Sequence, residues 1–226
     1  MGFAGAVMLA LAQIAALPAP APAPAKVEAV SPGQAADVAR LKACELLAQS
    51  SPEKAYEEGR AWTAESPAFE AKYCLAAAAY AQSKPVLAAQ QFEAIARAMA
   101  GRDKISQAKA QSDSGNAWLI AGDGARALAA FNNALGFAPN DGLLLIDRAR
   151  AFAYSGDWRH AEEDLNAALA VNGNDPLALR LRAETRLQLG ARSLALKDAE
   201  AARAIDGGDV ETLLVLGRIK EAIAGR

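Results

Sequence analysis

The chain has 226 residues, 53% hydrophobic but only 6% aromatic. Much of that apolar content is alanine, which favours closely packed helices over a core of large side chains. The formal charge of −2, with Lys and Arg spread throughout, leaves no basic stripe for nucleic acid. One histidine and two cysteines are scant material for metal or nucleophilic chemistry, so composition points away from an enzyme and implies no cofactor.

In chain order, the first element is Phe3 to Leu17, FAGAVMLALAQIAAL, an uncharged run followed by PAPAPAPAK. It falls short of the roughly 20 apolar residues a bilayer span needs. It reads as the core of a secretory signal peptide over residues 1–25. Ala23-Pro24-Ala25 supplies small residues at both required positions, which favours cleavage after Ala25, with Ala16 as the second candidate. No Lys or Arg precedes the run, so an uncleaved short anchor is the alternative, and the only membrane contact implied. The expected location is periplasmic or secreted. Residues 26–36 read as a linker.

From Asp37 to Gly101 an Ala-rich helical pattern is present but worn. AAQQFEAIA sets Ala88 four before Phe92 and eight before Ala96, and AYEEGRAW with Pro67 is a weaker version. Downstream the pattern sharpens into a 34-residue period. Gly122, Gly156 and Gly190 share one column, Ala127, Ala161 and Ala195 another, and Ala134, Ala168 and Ala202 a third. A glycine after an apolar helix ends it cheaply in the left-handed conformation. Asp123 and Asp157 follow directly and are placed to cap the next helix. The paired alanines lie on one helical face and allow close helix approach. Phe131 and Leu165 add bulk between them, where Ala199 is undersized. Pro139, Gly173 and Gly207 stop the second helix, and Asp141, Asp175 and Asp209 cap the next one. Each period is therefore helix, turn, helix, turn. Asp103 is placed to cap an extended first helix. VETLLVLGRIKEAIAGR closes the series, with Glu211, Arg218, Lys220 and Glu221 suited to face water.

The runs ALAAFNNA and AEEDLNAA, with Pro139 after the first, resemble the tetratricopeptide repeat (TPR) family. The small residue of the first helix appears as Gly115, Ala149, Ala183 and Gly217. The large apolar residue four before it is Leu145, Leu179 and Leu213, but Gln111 in one unit. Trp118 and Phe152 stand three after it, whereas Arg186 and Lys220 depart from the pattern. The resemblance implies an all-α fold, a right-handed superhelical solenoid of antiparallel helix pairs with a C-terminal capping helix. Three units plus the cap occupy residues 102–226. Residues 37–101 form two divergent hairpins of the same stack, or an unrelated four-helix segment.

In such a stack the first helices line the concave wall. The contact residues implied are Asn116, Ile120, Arg150, Tyr154, Arg180, Glu184 and Gln188, with Arg150 and Arg180 able to fork onto carboxylates; a merely solvated face is the plainer reading. In the TPR subgroup that clamps chaperone C-terminal carboxylates, Lys and Asn recur at set inner positions. Only Asn116 survives here, with Ser112, Asp147, Leu177 and Leu181 at the other places, so chaperone tails are not expected. Cys44 and Cys74 fall in first helices that neighbour one another in a TPR stack, where an oxidising compartment would join them; two buried thiols are the alternative. His160, lacking a Cys or His partner, cannot build a zinc site and reads as a surface or capping residue. Trp118 reads as core, and Trp158 as more open. The function expected is a non-catalytic scaffold binding a protein or peptide in the groove. A structural subunit of an envelope assembly, working through its convex surface and edges, is the alternative.

Overall fold

The computed structural model describes residues 31–101 and 103–225, so the expected signal segment lies outside the described residues. Eleven helices and no strand occur among these. They are α1 (Pro32–Ser50), α2 (Pro52–Glu65), α3 (Phe69–Ala81), α4 (Pro85–Ala98), α5 (Lys104–Ile120) and α6 (Gly124–Phe137). The remainder are α7 (Gly142–Tyr154), α8 (Trp158–Val171), α9 (Pro176–Gln188), α10 (Arg192–Ile205) and α11 (Val210–Ala224). Each helix packs on its chain neighbours, and the odd-numbered helices also meet: α1 with α3, α5 with α7, α7 with α9, α9 with α11. Five hairpins and a final helix thus form a helical solenoid.

The turns follow the chemistry of the repeat. Gly122, Gly156 and Gly190 hold φ of 80°, 76° and 77°, the region a side chain disfavours. Carboxylates of Asp103, Asp123, Asp141, Asp157, Asp175 and Asp209 accept backbone N–H groups at the starts of α5 to α9 and α11. Ala191 occupies the same column before α10 and provides no such bond. One boundary differs from expectation. Residues 32–36, read as linker, already belong to α1, because Pro32 is well suited to a first helical turn.

Small residues set the helix spacing. A Cβ on Gly115 would stand 2.6 Å from the Phe131 ring, which is wholly buried, so α5 and α6 approach through that glycine. The next units exchange the volumes: Ala149 with Leu165, then Ala183 with Ala199, all buried. Beside Gly217 nothing lies within 4 Å. The cap face is accordingly less polar than expected: Glu211, Arg218, Lys220 and Glu221 are exposed, but so are Val210, Leu213 and Leu214. Leu213 shares the column of buried Leu145 and Leu179, which second helices cover; no described helix covers it on α11.

The divergent half is joined covalently. Cys44 of α1 and Cys74 of α3 form a disulfide with Cα atoms 5.7 Å apart, amid buried Ala48, Ala55, Trp62, Ala71 and Ala78. On α2, Gly59 presses against α3: a Cβ there would lie 2.8 Å from the Leu75 Cα. Gly59→Ala should therefore destabilise the fold by about 1–3 kcal/mol through overpacking, despite alanine's better helix propensity. Urea unfolding checks this, and a more stable variant would contradict the packing described.

A second periodic device escaped the sequence reading. Arg148 of α7 grips Asp164 of α8 with Nε and Nη2, both at 2.7 Å, while Nη1 donates to Asn132 of α6 at 2.8 Å. One period on, Arg182 repeats this with Asp198 and Asn166, all at 2.8 Å. Arg186, where Trp118 and Phe152 would predict an aromatic, reaches Glu162 at 2.7 Å and Asp198 at 2.6 Å. Each forked arginine closes its own hairpin and ties it to the preceding one.

Candidate functional site

The side-by-side packing of odd-numbered helices opens a cleft of about 410 Å³ across α1, α3, α5 and α7. Its apolar surface comes from Tyr73, Ala77 and Tyr80 of α3, Phe92 of α4 and Ile120 at the end of α5. Its charges come from Glu45 of α1, Lys109 and Asp113 of α5, and Arg150 of α7. Tyr73 and Tyr80 stand two turns apart and so share one face of α3.

Two polar networks fix these groups. Asp113 accepts from the Tyr73 hydroxyl and from Lys109 Nζ at 2.8 Å. The Lys109 ammonium also lies 4.5 Å from the Tyr73 ring centroid. Burial, reinforced by the Asp113 carboxylate, pushes the Tyr73 phenol well above its ordinary range, so it stays a donor. Burial raises Tyr80 as well, with Arg150 pulling the other way. In the second network Asp147 accepts from Ser112 Oγ at 3.2 Å, Asn116 Nδ2 at 3.1 Å and Arg150 Nη1 at 3.1 Å. Arg150 Nη1 also donates to Asn116 Oδ1 at 3.2 Å. One nitrogen anchors the guanidinium, and its side chain remains about half exposed.

Of the residues singled out from the sequence, Asn116, Ile120 and Arg150 meet at this cleft. Tyr154 stands near it, exposed, with its hydroxyl donating to the Gly122 carbonyl at 3.2 Å and its ring against Gly124. Glu184 lies in a second cleft of about 250 Å³ shared with Arg150, Trp158 and Leu181, and accepts from Arg218 of α11 at 2.6 Å. Gln188 is exposed at the end of α9, lining neither cleft. Arg180 departs from the free guanidinium expected. Its side chain is 18% exposed and pairs with Asp209 at 3.4 Å, because the start of α11 packs over α9 and brings its capping carboxylate within reach. Sequence reasoning missed Glu45, Tyr73, Tyr80, Lys109 and Asp113. The tyrosine spacing and the Lys109/Asp113 helical pair were visible, but three of the five lie where the repeat pattern is faint.

The residues that suggested chemistry serve structure. His160 is exposed, its Nδ1 2.6 Å from Asp157 Oδ2 and its ring stacked on Phe152 at 5.1 Å. Hydrogen bonding to Asp157 raises the imidazole above 6.5. Its contribution to stability is thus complete below the unfolded value and is lost as pH rises through the higher folded one. As the chain's only histidine, it gives a single imidazole signal by NMR. The expected midpoint lies above 6.5, and Asp157→Asn should lower it; an unmoved midpoint would refute the pairing. Trp118 is core as expected, donating Nε1 to Glu93 at 2.8 Å beneath the Arg126 guanidinium. Both cysteines are bonded, and no cluster of metal-ligating side chains occurs among the described residues.

No protein-family model and no curated protein matches the sequence. Solved structures do match. The first TPR domain of human RPAP3 aligns with 25% identity and a TM-score of 0.51, over 52% of this chain and 93% of that one. The first TPR of Spaghetti (RPAP3), bound to the HSP90 peptide SRMEEVD, aligns with 25% identity and a TM-score of 0.51, over 53% of this chain and 95% of that one. A thermophilic TPR protein of Thermus thermophilus covers more, 81% of this chain and 98% of its own, at 20% identity and a TM-score of 0.59. Hairpins stacked through their first helices, with a cleft along that face, define a helical-repeat solenoid. The chain shares the fold of tetratricopeptide repeat proteins.

Proposed function

We propose that this protein is a non-catalytic interaction module, exported to the cell envelope, that holds an extended segment of another protein along its first-helix groove. The observation that carries the reading is the cleft itself: Ala77, Tyr80 and Ile120 offer apolar contact between anchored polar groups, Asn116 and Arg150. That combination suits a peptide with alternating side chains better than a small substrate. The Spaghetti domain holds its HSP90 peptide, which supports the class of activity, although the partner is not carried over. Here the inner position Asp147 is a carboxylate already satisfied by Ser112, Asn116 and Arg150, and it would repel an acidic tail.

Export is supported by the uncharged Phe3–Leu17 run and by the Cys44–Cys74 disulfide, which persists in oxidising compartments. No described helix is long and apolar enough to cross a membrane.

The test places a photoreactive residue at Ile120, in the groove, or at Ala129, on the exposed outer side of α6. After irradiation in envelope extract, the Ile120 position should capture partners that the Ala129 position does not. Capture at Ala129 alone would favour the structural-subunit alternative instead.

A further inference from the structure

The cleft carries unequal charge. Including Asp147 just behind Asn116, it holds three carboxylates and two cations, and four of these five are paired: Lys109 with Asp113 at 2.8 Å, Arg150 with Asp147 at 3.1 Å. Glu45 is the remaining one. It lines the cleft, makes no hydrogen bond or ion pair among the described residues, and lies near enough to Tyr73 to help keep its phenol protonated. A carboxylate on the wall of a part-enclosed, aromatic-lined cleft is less screened than one on an open surface, so it favours a cation beside it. Lys109 already shows how this cleft treats a cation, holding it over the face of Tyr73 while Asp113 accepts its hydrogen bond. The ring's negative face and the carboxylate act together on the same charge.

We infer that the bound segment carries a lysine or arginine side chain, received by Glu45 at the Tyr73 end of the cleft, and that acidic tails are rejected. This rests on the groove reading above and adds the chemistry of the partner. Rejection has its own cause. Asp113 lines the cleft and Asp147 lies behind it, bonded to Asn116; their cations are committed to them, so an acidic segment meets like charge without a free counter-charge except the open side of Arg150.

The test titrates two peptides into the full chain with its disulfide intact, followed by fluorescence anisotropy and by hydrogen exchange over α3 and α5. One is SRMEEVD, the peptide bound by the Spaghetti domain; the other is SRMKKVK with an amidated end, in which lysine replaces each acidic residue. The basic peptide should bind at least about tenfold more tightly at low salt and weaken as ionic strength rises. Glu45→Gln should reduce that affinity about fivefold or more without changing the melting temperature. Equal affinity for the two peptides, or an unchanged affinity in Glu45→Gln, overturns the inference. Acidic-peptide binding with protection of α3 and α5 overturns it while leaving the groove reading intact. If neither peptide binds, the inference falls, and crosslinking from Ile120 decides the groove reading separately.

Discussion

Arg148→Ala is expected to lower the unfolding free energy by about 3–5 kcal/mol, the usual cost of leaving a buried charge without its partner. The side chain of Asp164 is 8% exposed, and both of its oxygens are taken by the Arg148 fork. Truncation leaves that carboxylate desolvated on α8 and frees the tie to Asn132 on the preceding hairpin. Replacing both partners, as Arg148→Met with Asp164→Leu, should recover most of the loss, since an apolar pair of similar volume removes the stranded charge. Arg182→Ala should cost less, because Asp198 keeps a second partner in Arg186 at 2.6 Å. Denaturant unfolding of these variants gives the ranking. A loss below about 1 kcal/mol for Arg148→Ala would mean that Asp164 is solvated, and the clamp would have no stabilising role.

Removing the Cys44–Cys74 bond is expected to cost about 3–4 kcal/mol in the chain-entropy picture, from the 30-residue separation it closes. The loss should concentrate on α1 and α2. Packing there depends on the small cluster around Trp62, Ala55 and Ala71 rather than on regular repeat columns. Hydrogen exchange on the Cys44→Ala, Cys74→Ala protein should show faster exchange across residues 32–65 with little change in α7 to α10. Uniform acceleration along the chain would indicate that the solenoid unfolds as one unit and that the bond is not a local anchor. Because Glu45 adjoins Cys44 on α1, the same protein should also lose part of its groove contacts.

The repeat columns, the forked arginines and the cleft differ in how far the sequence revealed them. The repeat columns were legible because each has a strict local cause. Gly122, Gly156 and Gly190 must end helices, and the aspartates must cap them, so spacing alone locates the turns. The forked arginines were legible in principle, since Arg148 and Arg182, Asp164 and Asp198, and Asn132 and Asn166 each recur one period apart. They look like ordinary surface charges until the hairpins are stacked. The cleft was only half legible. Asn116, Ile120 and Arg150 follow from the register of the clear units, whereas Glu45, Tyr73 and Tyr80 lie in the worn ones, where no column predicts which side faces the groove.

Local rules therefore determined the hairpins of this protein: where helices start and stop, which faces carry alanine, and that successive units stack. The tertiary structure decided which polar groups remain available. Arg180 and Arg150 both stand on first helices, but 30 rather than 34 residues apart, so Arg180 shares the column of buried Ile146 and Arg150 that of Glu184. Asp209 at the start of α11 then pairs with Arg180 at 3.4 Å, leaving its side chain 18% exposed, whereas Arg150 keeps about half of its side chain open at the cleft. Availability depends on what a neighbouring helix brings within a few ångströms, and no periodicity in one helix encodes that.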